Sequence, residues 1–132
     1  MASFKTFEEI ESWKMSRDLS KLIFNKFSLS KDYPLNDQIN RSSGSVMDNI
    51  AEGFGRTGNR EFVLFLSFSN GSCSELSSQL YRALDRNYIS HNEFQDLTEM
   101  AERIRKMNNR LIEYLKESDF RGRKFKSREP GI

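Results

Sequence analysis

His91, Cys73 and a few carboxylates are the residues of this 132-residue chain whose types catalysis or metal binding draws on. The single histidine, His91, stands where a helix should start, so the Glu-x-x-His pairs with which helical bundles hold two metal ions are absent. One histidine and one cysteine leave no zinc site of standard ligand spacing, and with His91 at a helix start no Ser-His-Asp or Cys-His arrangement is expected. Gly53-Phe54-Gly55 lacks the third glycine and the strand-to-helix setting of a dinucleotide loop. His91 therefore reads as a solvated cap residue, and Cys73, among serines and a glycine, as a small buried one.

Glu52 and Glu75 are the carboxylates best placed for acid–base work, on core-facing or flanking positions of two central helices. Asn49, Glu52, Glu75 and Gln79 read more simply as a polar network that fixes helix register, because buried polar groups demand specific partners. The chain is therefore expected not to be an enzyme, and to need no metal or cofactor.

The cations are the other candidates. Lys14, Arg17 and Lys21 share one side of the first helix. Arg103, Lys106 and Arg110 share one side of the last, but Glu99 and Glu102 precede two of them by four residues, which is ordinary salt-bridge patterning. From Phe120 onward Arg121, Arg123, Lys124, Lys126 and Arg128 face Glu129 alone, so the C-terminal segment carries +4 and residues 1–119 carry −2 of a formal net charge of +2. Lys14, Arg17, Lys21, Arg41, Arg56 and the C-terminal cations are the candidate contacts to nucleic-acid phosphates, and Phe120 and Phe125 are placed either to stack on bases or to pack on the bundle.

The elements that must position these residues are helical. Only two prolines occur, 30% of residues are charged, and the apolar content falls at steps of three and four. Thr6-Phe7-Glu8-Glu9 has the form of a capping box, opening a first helix to about Phe27, with or without a break before its main run, and with Ile10, Trp13, Leu19, Leu22, Ile23 and Phe27 inward. Pro34 suits a first helical turn, and the second helix runs from about Leu35 to the glycines Gly53, Gly55 and Gly58. A third is expected from Asn59 or Arg60 to about Asp85, its stripe including Phe62, Phe65, Leu66, Cys73, Leu76, Leu80 and Leu84. Val63, Leu64 and Phe68 fall outside that stripe, so a second surface, plausibly another copy of the chain, should cover them. Ser90-His91-Asn92-Glu93 is a second capping box, and the fourth helix should end near Asp119, with Asn108 interrupting its apolar rhythm.

Short connections make consecutive helices antiparallel, so the expected fold is an all-α, up-down-up-down four-helix bundle over 1–119, followed by a basic, flexible tail over 120–132. Small residues at Ser42 to Ser45 and Ser69 to Ser74 should face each other across the middle hairpin. Close backbone approach there would explain Gly44 and Gly71 inside helices. No apolar run reaches the roughly 20 residues of a membrane span and no signal-peptide layout is present, so the chain reads as cytoplasmic.

The run Asn49-Ile50-Ala51-Glu52-Gly53-Phe54-Gly55-Arg56, then Glu61-Phe62, Phe65-Leu66, Gly71-Ser72, Glu75-Leu76 and Gln79-Leu80, resembles the bacterial four-helix bundle proteins of intervening sequences in large-subunit ribosomal RNA genes. Trp13, Gln38-Ile39, Arg41 and Tyr88-Ile89 fit the same pattern, and the resemblance spans roughly residues 4–118. Met47 stands where such proteins often carry proline, and Gly44 replaces a more typical aliphatic residue. The resemblance implies a ring-shaped homopentamer related to the accessory variability protein of diversity-generating retroelements, which binds a reverse transcriptase and nucleic acid. On that expectation the partners are further copies of the chain and structured RNA or DNA; the competing reading is a scaffold for a protein such as a reverse transcriptase. An enzyme using Glu52 and Glu75 would require both carboxylates on one cavity.

Overall fold

The structure, a computed structural model, describes residues 4–127, with side-chain placement for residues 4–122. A short 3₁₀ turn, Phe7–Glu9, precedes four α-helices: α1 (Glu11–Phe27), α2 (Tyr33–Gly55), α3 (Asn59–Asp85) and α4 (His91–Ser127). Among the described residues there is no strand.

The starts of these elements follow the local chemistry. The Glu9 carboxylate accepts the backbone N–H groups of Lys5 at 2.8 Å and Thr6 at 2.9 Å, and these two bonds hold its pKa below the usual carboxylate value. Asp32 caps α2, accepting from the Leu35 N–H at 3.3 Å, with Pro34 in the first turn. The same carboxylate accepts from the Tyr88 hydroxyl at 2.9 Å and from Arg86 at 2.8 Å, which ties the α1–α2 loop to the α3–α4 turn. Ser90 and Glu93 form the reciprocal box at the start of α4, at 2.8 and 3.1 Å. Gly58 takes φ of 90° between α2 and α3, a left-handed conformation that a side chain resists.

Cross-helix bonds fix the directions. Gln38, Ser42 and Ser45 of α2 meet Arg82, Glu75 and Ser72 of α3, so rising numbers on one helix meet falling numbers on the other. Asn59 reaches the Leu115 carbonyl and Asn70 reaches Asn109, giving α3 and α4 the same antiparallel relation. α1 packs on α2 and α4 and not on α3, which closes a four-helix bundle.

Two apolar clusters fill the interior. One, around Leu19, Ile39, Leu76, Leu80 and Ile104, lies toward the Asp32 end; the other, around Trp13, Ile50, Phe62, Leu66 and Leu111, lies toward the α2–α3 turn. Between them sits a polar layer. Ser69 donates to the Val46 carbonyl at 2.8 Å and accepts from Asn108 Nδ2 at 3.1 Å, and the same amide nitrogen reaches Asn70 Oδ1 at 3.1 Å. Ser16 occupies the corresponding level of α1 and donates to the Ser12 carbonyl within its own helix.

Several details depart from the sequence expectation. Leu22 is 49% exposed, because Ser12, Ser16, Leu19, Ile23 and Phe27 occupy the inward face of α1 and leave it round the helix. Phe65 and Leu84 are only half-buried, and Ala83 takes the inward position beside Leu80. α4 continues to Ser127 instead of ending near Asp119, so helical backbone carries the first part of the segment read as a tail. The remainder of that segment lies outside the described residues.

The small-residue clusters do meet, but not for the reason expected of Gly44 and Gly71. A Cβ built on either meets nothing within 4 Å. The glycine that close approach requires is Gly53, where a Cβ would lie 2.7 Å from Phe65 Cβ, 3.0 Å from the Phe62 ring and 3.3 Å from the Phe62 carbonyl oxygen. The contact that needs a bare backbone is therefore beside the turn, where α2 and α3 converge.

Candidate functional site

The candidate cations are distributed over separate parts of the bundle. Lys14, Arg17 and Lys21 are exposed on α1. Lys14 pairs with Glu11 at 3.2 Å, and the Arg17 guanidinium lies 5.9 Å from the Trp13 ring centroid, at the outer limit of a cation–π contact. Trp13 itself is buried and meets Phe7 edge-on at 5.0 Å. Arg56, at the end of α2, is held between Glu52 at 3.3 Å and Glu61 at 3.2 Å, and covers the Phe65 ring at 5.2 Å. This constellation clamps the α2–α3 turn while the Arg56 side chain stays 44% exposed.

Arg121 pairs with Glu117 at 2.6 Å on the outer part of α4. Past Leu115 no described side chain of α4 is buried, and Phe120 is exposed beside Arg121. Arg123, Lys124 and Lys126 fall on helical backbone, but their side chains, like all of Arg128, lie outside the described residues.

The register network expected of Asn49, Glu52, Glu75 and Gln79 does not form. Asn49 donates to the Ser45 carbonyl and hydroxyl, both at 2.9 Å, and Ser72 donates to the same hydroxyl at 2.9 Å. Glu52 is exposed and committed to Arg56, one turn away on its own helix. Glu75 is exposed as well and accepts from Ser42 at 2.8 Å. Gly71 faces outward. Helical rotation is the reason: Glu52 and Glu75 sit off the inward stripe, where Gly53 and Leu76 are the buried neighbours. The register is set instead by Ser69 and Asn108, which the sequence reading had treated as a small residue and an interruption.

Glu52 and Glu75 line different grooves and share no cavity. No group of three or more His, Cys, Asp or Glu side chains that could hold a metal ion occurs among the described residues. His91 is exposed at the first position of α4. Cys73 is buried, and burial pushes its thiol up to about 12, far from a reactive thiolate.

A polar concavity lies between α2 and α3, an open groove of about 740 Å³. On α2 it is bounded by Gln38, Arg41, Ser42 and Ser45, on α3 by Glu75, Ser78, Gln79 and Arg82. Each set has the spacing i, i+3, i+4, i+7, which places it on one face of its helix. Arg82 donates to Gln38, whereas Arg41 makes no ion pair or hydrogen bond with any described residue. Gln79 is only 7% exposed, and its Oε1 has no hydrogen-bond donor. The sequence reading placed Glu75 and Gln79 in a register network and Arg41 among the phosphate contacts, named Gln38 only in the family-like pattern, and did not single out Ser78 or Arg82; the matched polar stripes were the available signal.

A family model described as 23S rRNA-intervening sequence protein matches residues 8–110. Among solved structures, a protein with unknown function from the S23 ribosomal protein family of Bacteroides thetaiotaomicron VPI-5482 superposes with a TM-score of 0.72. The two chains are 20% identical over 76% of this chain and 97% of the other, a likeness that shows the fold. No curated protein matches the sequence.

Proposed function

Because the chain belongs to the 23S rRNA-intervening sequence protein family, we propose that it is a non-catalytic accessory protein that associates with copies of itself and holds structured RNA or DNA through phosphate contacts. The observation that carries this reading is the length of α4, which continues as helix to Ser127 after its last buried residue, Leu115. That extension carries Arg121, Arg123, Lys124 and Lys126 on one short stretch of helical backbone past the last buried residue. Lys21 and Arg41 add cations that make no ion pair with a described residue. Phosphate binding by such groups is independent of sequence and falls steeply with salt.

Self-association would multiply a weak cationic segment into an avid one, because linked copies raise the effective concentration of each contact. The ring of five implied by the resemblance is part of the proposal. Leu64 and Phe68, each 48% exposed on α3, supply apolar surface for it. Those same side chains favour the second reading, a scaffold that docks another protein, such as a reverse transcriptase, without touching nucleic acid.

The test is a binding titration of structured RNA and duplex DNA against the full chain and a chain ending at Asp119, at low and near-physiological salt, with light scattering to count copies. The expected result is salt-sensitive binding that weakens sharply on truncation. Absence of binding by both forms at low salt would overturn the nucleic-acid reading and leave the scaffold.

A further inference from the structure

Where α2 turns into α3, an aromatic-lined recess of about 300 Å³ opens beside α4. Phe54 of α2 and Phe62 of α3 meet there edge-on at 6.0 Å, and Phe4 reaches in from the segment before the 3₁₀ turn. Tyr114, 39% exposed, adds a fourth ring from the face of α4 that also carries Leu115 and Ser118. The accessible wall is mostly apolar and holds no carboxylate. At the rim the Tyr114 and Ser118 hydroxyls make no hydrogen bond with a described residue, and the Asn59 amide donates to the Leu115 carbonyl at 3.4 Å.

Asn59 and Leu115 also bound a second, smaller recess, which carries Arg60 and Lys116. Both cations are exposed and make no ion pair or hydrogen bond with a described residue. Asp119 lines that recess too and has a partner of its own. Glu52 and Glu61 are held by Arg56, Glu117 is held by Arg121, and Glu113 lines neither recess.

Rings on one side of Asn59 and Leu115 and free cations on the other suit a planar apolar group joined to an anion. We propose that this end of the bundle holds one unpaired base of a single-stranded nucleic acid, with the base in the aromatic recess and its phosphates at Arg60 and Lys116. Stacking on aromatic side chains accepts any base, because each has a π-face, while neighbouring cations track the backbone. Hydroxyls both donate and accept, so Tyr114 and Ser118 meet the edge of whichever base enters. A base paired within a duplex keeps both faces in its stack and stays out. The α4 extension rises from this recess, with Arg121 about one turn beyond Ser118, so a strand held here continues onto it. A leucine or phenylalanine of a protein partner would fill the rings' side but leave Arg60 and Lys116 without a counter-charge.

This base site rests on the nucleic-acid reading above and adds to it a demand for unpaired bases. The experiment measures, by fluorescence anisotropy at low salt, binding of the full chain to a short oligothymidylate, to the same strand with abasic sugars throughout, and to a duplex of equal length. The abasic strand keeps the phosphates and removes the bases. Oligothymidylate is expected to bind about tenfold more tightly than the abasic strand, the size of one stacked base. Tyr114→Ala should erase that preference and leave the abasic strand's affinity unchanged, which also reports a folded variant. Tyr114→Phe should keep the preference. Joint Arg60→Ala and Lys116→Ala should weaken both strands together and flatten the salt dependence.

Equal affinity for oligothymidylate and the abasic strand overturns the base site, leaves phosphate binding standing and turns the recess over to an apolar side chain of a protein partner. A preference that survives Tyr114→Ala places the stacking elsewhere and overturns it as well. No binding of either strand or of the duplex removes the nucleic-acid reading itself, and the base site with it.

Discussion

At Ser69 and Asn70 the polar groups of α3 turn toward the other helices, while at Glu75, Gln79 and Arg82 of the same helix they line an open groove. In the first region the bonds run inward in sequence: Asn108 donates to Ser69, and Ser69 to the Val46 carbonyl, so three helices are locked at one level. In the second, the exposed Arg41 makes no ion pair or hydrogen bond with a described residue. The difference is one of solvent access. A buried donor must find an acceptor within the fold, so polar groups there specify register; a groove-lining group has water as its alternative and remains available to a ligand.

The comparison breaks most visibly at Asn108. Asn108→Ala removes a buried hydrogen bond to Ser69 and a part-buried one to Asn70, and should lower unfolding stability by about 2–3 kcal/mol in a urea titration. Gln38→Ala, which removes the Arg82 bond at the groove edge, should change stability by less than about 0.5 kcal/mol. Comparable losses from the two variants would show that the groove is structural.

The glycines sharpen it next. Gly53→Ala puts a Cβ against Phe65 and the Phe62 backbone, and should cost about 1–2 kcal/mol after the helix-propensity gain is offset against overpacking. Gly44→Ala and Gly71→Ala meet open space and should each raise stability by up to about 1 kcal/mol in a urea titration. A loss at either would place that glycine against a neighbouring copy.

The smallest effect concerns acid. Hydrogen bonds from Tyr88 and Arg86 and from the Leu35 N–H hold the folded Asp32 below its ordinary value of 3.8. Glu93, paired with Lys26 and the Ser90 N–H, is held below 4.5. A folded pKa below the unfolded one contributes stability that is present above the unfolded value and is lost as pH falls through the folded one. The melting temperature should therefore drop on acidification below about pH 4.5, and Asp32→Asn should flatten the lower part of that drop. An unchanged acid limb in that variant would mean that the tie between the two loops does not persist in solution.

Much of the bundle was legible in the chain. Pro34, the two capping boxes and the glycines after Phe54 mark helix ends by local chemistry, and the three-and-four spacing of Phe94, Leu97, Ala101 and Ile104 marks an inward face that the fold preserves. Apolar periodicity was less informative where a helix is apolar on several sides, and Leu22 and Phe65 were misplaced for that reason. The end of α4 was misread because a cationic run carries no stop signal; Gly122 is the only weak helix former before Ser127.

Helix number, order and direction were thus determined by the sequence itself, through caps and periodicities that act within a few residues. Which glycine admits a neighbouring helix, which asparagine is buried and which carboxylate faces a groove depend on the rotation of each helix against its neighbours. Gly44 and Gly53 differ by little in local sequence, yet only one meets a phenylalanine backbone. Glu75 and Gln79 looked like one network until α2 was seen to bring Arg41 and Ser42 opposite them. Rotation follows from the packing of all four helices at once, and no local segment encodes it alone.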